Sequence, residues 1–152
     1  MIDIRIVKAG NPKVRPLIEL HLSGMISNSP AESVYALDSS GLSAPGVTLF
    51  GAFENDMCVS IGAIKTLSST HGEVKSMRTH LDALGHGHGK AILKHIIKVA
   101  RQRGWTKLSL ETGTGPSFDA SHHIYKTHGF EQSGAFSDYL ATDFNRFFSL
   151  NF

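Results

Sequence analysis

Alternating apolar and polar residues open the chain. In the segment MIDIRIVK, Ile2, Ile4 and Ile6 alternate with Asp3 and Arg5. This two-residue period is typical of a strand with one buried face. The pattern therefore predicts a first β-strand.

The next apolar residues follow helical spacing. Asn11 followed by Pro12 is typical of a helix start, and the apolar stripe runs from Val14 to about Ile26. A first helix is therefore predicted to begin at Asn11 and to end near Ser27. A later Ser-Pro pair predicts a short helix over residues 31–36, and SSGLSAPG predicts a flexible loop that forms a lid on the substrate side.

Strand patterns dominate the middle of the chain. Within VTLFGAFENDMCVSIGAIKTL, two β-rich runs are joined by Asn55 and Asp56, which predicts a hairpin. The segment GEVKSMRT predicts a further strand from about Glu73 to Thr79. Because the joins are short, these strands are expected to be antiparallel.

A strand–helix–strand unit follows. Apolar residues recur at helical spacing between Lys90 and Arg103, Gly104 stops the helix, and TKLSLETG alternates as a strand. This order predicts a crossover between parallel neighbours. A further helix is predicted over residues 120–128, and GFEQSG and RFFSLNF predict closing strands.

Composition narrows the class of protein. The 152 residues are 41% hydrophobic and 18% charged, which predicts one domain over residues 1–152. The net charge is +2 without a basic run, so an anionic small ligand is favoured over nucleic acid or a membrane. Cys58 is the single cysteine, and no leader or membrane span is recognisable, which together predict a cytoplasmic protein.

The segment LGHGHGKAIL places a glycine-rich turn at a helix start. Such a start offers unpaired N–H groups and the positive end of the helix dipole, and glycine lets a phosphate approach the backbone. The nucleoside triphosphate loop does not match, because Leu84 and Ala91 occupy two of its required positions. The dinucleotide fingerprint does not match either, because Gly85, Gly87 and Gly89 are spaced G-x-G-x-G.

The segment GEVKSMRTHLDALGHGHGKAILKHIIKVARQRGWTKLSLETG, with IYKTHGF after it, resembles the GCN5-related N-acetyltransferase (GNAT) superfamily. The acetyl-CoA signature of that family, Gln or Arg, two residues, Gly, one residue, Gly or Ala, falls on Leu84, Gly87 and Gly89. Leu84 departs from it, which puts diphosphate affinity in question. LDSSGLSAPGVT, HGEVKSM, LSLETGT and GAFSDY are similar to small bacterial acetyltransferases of undefined substrate.

The resemblance implies an α/β (α+β) fold: a mixed, mostly antiparallel central sheet flanked by helices, with two splayed parallel strands forming an acetyl-CoA cleft. Met77 and Thr79 would pair with the pantetheine arm. The main-chain amides that would hold the diphosphate belong to Gly85, His86, Gly87, His88, Gly89 and Lys90. The histidine spacings lack the usual ligand pair of a metal site, so no metal is predicted.

The resemblance also implies roles in the chemistry. The Met77 N–H would point at the thioester carbonyl, and Tyr125 would protonate the departing thiolate. Counting back from the glycines puts Glu73 at the catalytic glutamate of the histone-acetylating branch, while Glu111 or a water chain remains an alternative base. The predicted function is acetyl transfer to a primary amine of a small molecule or peptide. The alternative is an acyl-CoA-binding regulatory protein without turnover. The aromatic residues near the C-terminus, Phe147, Phe148 and Phe152, are expected to complete either the core or the interface of a homodimer.

Overall fold

A computed structural model describes residues 2–152. Seven strands form one sheet in the order β1-β2-β3-β4-β5-β7-β6, and all neighbouring pairs are antiparallel except β4 and β5. The elements are β1 (Asp3–Val7), α1 (Arg15–Asn28), α2 (Ser39–Leu42), β2 (Val47–Glu54), β3 (Met57–Thr66), β4 (His71–Thr79), α3 (His88–Gln102), β5 (Lys107–Thr112), α4 (Asp119–Thr127), β6 (Glu131–Ser133) and β7 (Arg146–Asn151).

Two features of the first helical region differ from the sequence prediction. Helix α1 begins at Arg15 rather than at Asn11, because Asn11 forms a turn in which its side-chain oxygen accepts the N–H of Lys13 at 2.9 Å. The proline in the first turn of α1 is Pro16, which loses no helical hydrogen bond there. The predicted helix over 31–36 is reduced to a 3₁₀ turn at Ala31–Ser33.

The segment predicted as a flexible loop begins with a short helix. Asp38 caps α2, since its carboxylate accepts the N–H of Gly41 at 2.8 Å. The buried side chain of Leu42 then attaches α2 to the core. Within the segment predicted as a flexible lid, only the residues after α2, 43–46, lack regular secondary structure.

Each face of the sheet carries its own apolar layer. Helices α3 and α4 cover one face, where Ile92, Leu93 and Ile96 pack with Leu108 and Leu110. Helix α1 covers the other face over β2 and β3; its cluster includes Leu17, Ile18, Leu49, Ile61 and Ala63. Alternation of side chains along each strand produces this division.

Strands β4 and β5 separate after a short parallel contact. Their pairing covers only His71–Glu73 against Lys107–Ser109. Ser76 has a φ of 57°, and the register between β3 and β4 shifts between Ile61 and Ala63, which together mark a bulge. Beyond Glu73, β4 therefore has no partner on its β5 side within residues 2–152.

Candidate active site

A cleft of about 400 Å³ opens where β4 and β5 separate. It is bounded by α1, by β4 from Glu73 to Thr79, by Glu111 on β5 and by α4. The residues predicted for the site that line it are Glu73, Met77, Thr79, Gly89, Glu111 and Tyr125. One cavity thus reaches both the strand gap and the start of α3.

The glycine turn precedes α3 and is open to solvent. Gly85 and Gly87 have φ of 80° and 82°, a region that disfavours residues with a Cβ, and a Cβ at either would meet nothing within 4 Å. The first amides of α3 have no partner within the helix. Such an uncrowded turn fits an anion as large as a diphosphate.

The two histidines of the turn lie in different environments. His86 is exposed, whereas the ring of His88 is 3% exposed and its Nε2 lies 3.3 Å from Oε2 of Glu54. The ring of His88 is therefore buried beside Glu54 at the end of β2, although neither ring nitrogen makes a hydrogen bond within residues 2–152. Its main-chain amide stays the candidate contact for an anion.

Strand β4 divides its side chains between the two faces of the sheet. Val74 and Met77 pack with the α3 layer. Glu73, Lys75 and Arg78 lie on the α1 face, because side chains alternate along the strand and the bulge at Ser76 shifts the alternation by one residue.

Glu73 is held in a buried polar cluster. Its carboxylate lies 3.2 Å from Nζ of Lys75 and accepts a hydrogen bond from the hydroxyl of Tyr139. Lys75 also donates to the hydroxyl of Tyr139 at 2.7 Å. Glu73 is only 2% exposed. Its charge is therefore balanced by Lys75, and its Oε2 already accepts two hydrogen bonds before any substrate arrives.

Glu111 lies nearby with the side chain of Asn145 in hydrogen-bonding reach, but it makes no ion pair within residues 2–152. Its Oε2 is buried and has no hydrogen-bond partner among the described residues. Burial, followed by the negative charge of Glu73, raises the pKa of Glu111 to about 7, while Lys75 opposes that shift. A carboxyl group with this pKa exchanges protons readily at neutral pH, as a general base must.

Tyr125 enters the cleft from α4. The side chain is 8% exposed, and its ring packs near those of Phe130 and Phe148. Burial raises the pKa of Tyr125 to about 12, and the nearby charge of Arg78 opposes the shift. The phenol therefore keeps its proton at neutral pH and is available as a donor.

The family model for the acetyltransferase (GNAT) family matches residues 14–130 of this chain. The chain belongs to the GNAT acetyltransferase family. The uncharacterised N-acetyltransferase YedL of Escherichia coli is 43% identical over 150 residues, covering 99% of this chain and 94% of that protein. The predictions of the family and of an acetyltransferase are thereby confirmed.

Solved structures confirm the fold of this acetyltransferase. A putative acyl-CoA N-acyltransferase from Klebsiella pneumoniae has a TM-score of 0.81 at 22% identity, covering 99% of this chain and 97% of that one. A GNAT family acetyltransferase from Elizabethkingia anophelis, solved with acetyl-CoA bound, has a TM-score of 0.73 at 16% identity. The match covers 99% of this chain and 98% of that one. The predicted mixed, mostly antiparallel sheet with one parallel pair is the observed one.

The acetyltransferase site includes side-chain contacts that the sequence did not predict. Tyr139 reaches Glu73 from 66 positions away. Lys75, Arg78 and His21 also line the cleft. Simple alternation in GEVKSMRT would separate Arg78 from Glu73 and Lys75, and only the bulge at Ser76 brings the three to one face. No local pattern predicted the partners supplied by α1 and the segment before β7.

Metal-ligand clusters and membrane-spanning helices are both lacking in the described part of the chain. Within residues 2–152, no group of three or more His, Cys, Asp or Glu side chains is arranged to hold a metal ion. The helices of this described region are too short or too polar to cross a bilayer.

Proposed function

We propose that this GNAT acetyltransferase moves the acetyl group of acetyl-CoA to a primary amine of a small molecule or peptide by direct attack. Acetyl-CoA supplies a thioester whose C–S bond breaks as the amine nitrogen bonds to the acetyl carbon. The observation that carries the proposal is the gap between β4 and β5, which joins the glycine turn on one side to Glu111 on the other.

The glycine turn binds the coenzyme in this proposal. Main-chain amides from Gly85 to Lys90 hold the diphosphate, since the turn is open and its helix start is electropositive. The free edge of β4 at Met77 and Thr79 pairs with the pantetheine arm, because β5 has already diverged there. The Met77 N–H is the candidate donor to the thioester carbonyl.

Glu111 is the base that the geometry favours. Glu73 is neutralised by Lys75 and accepts a hydrogen bond from Tyr139, whereas Glu111 has a free buried oxygen and a raised pKa. Glu111 removes a proton from the acceptor ammonium, and Glu73 holds Lys75 and Tyr139 in place. Tyr125 then protonates the departing thiolate.

Calorimetric titration and a thiol-release assay test this function. We expect acetyl-CoA to bind and thiol to form when amines are supplied. Tyr125→Phe should lower kcat roughly hundredfold, the low end for a general acid, because phenylalanine has no hydroxyl proton to give to the departing thiolate. The Kd for acetyl-CoA should not change.

The same assays separate the alternative. Acetyl-CoA binding without thiol release above the amine-free background, across a broad amine panel, would support a regulatory binding protein. Absence of binding would contradict both functions. Retention of full kcat in Tyr125→Phe would remove Tyr125 from the mechanism while leaving acetyl transfer standing.

A further inference from the structure

Arg78 is a cation in the cleft without an anionic partner. Its guanidinium makes no salt bridge with any Asp or Glu among residues 2–152. Lys75, the other cation of the cleft, is already bound to Glu73 and Tyr139. Arg78 is therefore the positive charge left for a ligand.

Helix α1 positions this guanidinium. Its Nε donates to Nδ1 of His21 at 3.2 Å. Burial, then the charges of Arg78 and Lys75, lowers the pKa of His21 to about 3, so the ring is neutral and remains an acceptor across the working pH range. His21 thus orients Arg78 without competing for an anion.

Gly24 makes room for the same group. A Cβ at Gly24 would lie 3.1 Å from Nη2 of Arg78. Glycine inside a helix costs about 1 kcal/mol relative to alanine, so a glycine at this point of α1 is matched to the guanidinium that packs on it. His21 and Gly24 thus form the surface of α1 on which the Arg78 guanidinium packs, here called the seat of Arg78.

The seat lies on the acceptor side of the sheet. Thr79, the next residue, faces the start of α3, since a Cβ on Gly89 would lie 3.6 Å from its hydroxyl oxygen. Arg78 therefore points to the opposite face, away from the glycine turn. Glu111 lies on the Arg78 face, because Leu110 beside it packs in the α3 layer.

We propose that the acceptor is an amine that also carries a carboxylate, of the amino-acid or peptide class, with its carboxylate bound by Arg78 and its amine presented to Glu111. This inference rests on the acetyl transfer proposed above. A planar guanidinium matches a carboxylate in a bidentate pair, and the two poles of the cleft match the two charges of a zwitterion. His21 is a positioning residue that acts through Arg78.

Matched acceptors test the inference. The standard amino acids, their carboxamides and the corresponding decarboxylated amines should be compared by kcat/KM at saturating acetyl-CoA. We expect at least one amino acid to exceed its own carboxamide about tenfold to a hundredfold, the range of a charge-assisted pair. Arg78→Gln should remove that preference and leave the Kd for acetyl-CoA unchanged.

Controls separate binding from folding. Arg15→Gln removes an exposed arginine at the start of α1 and should keep the preference. His21→Leu should raise KM for the carboxylate acceptor about tenfold, with little change in kcat and none in KM for the carboxamide. His21→Gln, which keeps an acceptor atom, should restore part of the lost affinity.

Each contrary result has a distinct meaning. Equal rates with the amino acids and carboxamides, or a preference that survives Arg78→Gln, would overturn the inference and leave acetyl transfer intact. A higher rate with a phosphorylated amine such as phosphoethanolamine would overturn the carboxylate assignment. If none of the amines caused thiol release above the amine-free background, the proposed function and the inference would both be overturned.

Discussion

The two faces of the sheet differ sharply beside the gap between β4 and β5. On the α3 and α4 face, buried apolar residues such as Ile92, Leu108 and Leu110 form a continuous layer up to Tyr125. On the α1 face, the same strands carry Glu73 and Glu111, together with Lys75, Arg78 and the hydrogen-bonded pair of Ser109 and His71. The α3 and α4 face is built from apolar packing and the α1 face from charged side chains. In the proposed function, the first is the coenzyme face and the second is the acceptor face.

This difference separates two kinds of requirement. A coenzyme diphosphate is held by main-chain amides, which every sequence possesses, so that face needs only the glycine turn and a stable helix. An acceptor is selected by side chains, whose charges must be desolvated and paired. The acceptor face is therefore where the specificity of this acetyltransferase is expected.

Removing the base should give the largest effect. We expect Glu111→Gln to lower kcat/KM about 10²–10⁴-fold, the usual contribution of a general base. In the wild type, kcat/KM should rise with pH and level off above about 7, because the active form is the carboxylate and its pKa is about 7. The variant should lose this step, as a pH–rate profile would show.

Two matched variants sharpen that test. Glu131→Gln changes an exposed glutamate on β6 and should leave the profile unchanged. If Glu73→Gln abolished the step near pH 7 while Glu111→Gln kept it, the base would be Glu73 and the roles of the two glutamates would be reversed.

Acid should lower the free energy of unfolding, because His21 on the α1 side of the cleft is held neutral in the folded protein. The pKa of His21 is about 3 in the folded protein and takes its ordinary value of 6.5 in the unfolded chain, so below pH 6.5 the unfolded chain binds the proton and the folded chain does not. The free energy of unfolding should therefore fall as pH drops, by on the order of 3 kcal/mol between pH 6.5 and 4. Urea unfolding at several pH values measures it.

His21→Gln removes this titration and should flatten the slope over that interval. His123→Gln changes an exposed histidine on α4 and should keep the wild-type slope. Equal slopes for the wild type and His21→Gln would contradict a neutral buried histidine beside Arg78.

The smallest predicted effect lies on the coenzyme face. Gly87 has a φ of 82°, where a residue with a Cβ costs about 1–2 kcal/mol. An alanine would let the free turn relax away from this φ, and binding would have to restore it, so Gly87→Ala should weaken acetyl-CoA binding roughly fivefold to thirtyfold, with kcat at saturation little changed. Calorimetry measures the Kd. Gly10→Ala, where a Cβ meets nothing within 4 Å, is the control and should bind normally.

Long periodic elements were predictable from the sequence. Helix α3 was expected from Lys90 to Arg103 and spans His88–Gln102, because a strong helical stripe and Gly104 define it locally. The hairpin at Asn55 and Asp56 was predictable from its turn residues, because Asn and Asp tolerate the positive φ that both adopt there. The predicted start of α1 was wrong because Pro12 and Pro16 both suit the first turn of a helix, and the helix uses Pro16.

The order of the last strands was not predictable. β7 lies between β5 and β6, and it pairs with Ser109 and Leu110 across about forty residues of chain. Strand pairing at such separations is decided by the rest of the fold, since the local pattern of RFFSLNF suits any central position.

The sequence by itself determined the family, the glycine turn and the candidates Tyr125, Glu73 and Glu111, because each depends on residue type at fixed spacing along one element. Only the tertiary structure decided how the two glutamates differ and that, within residues 2–152, Arg78 lacks an acidic partner. Burial and pairing set the charge state of a carboxyl group, and both come from α1, β5 and Tyr139, which are distant in the chain and meet only in the folded protein.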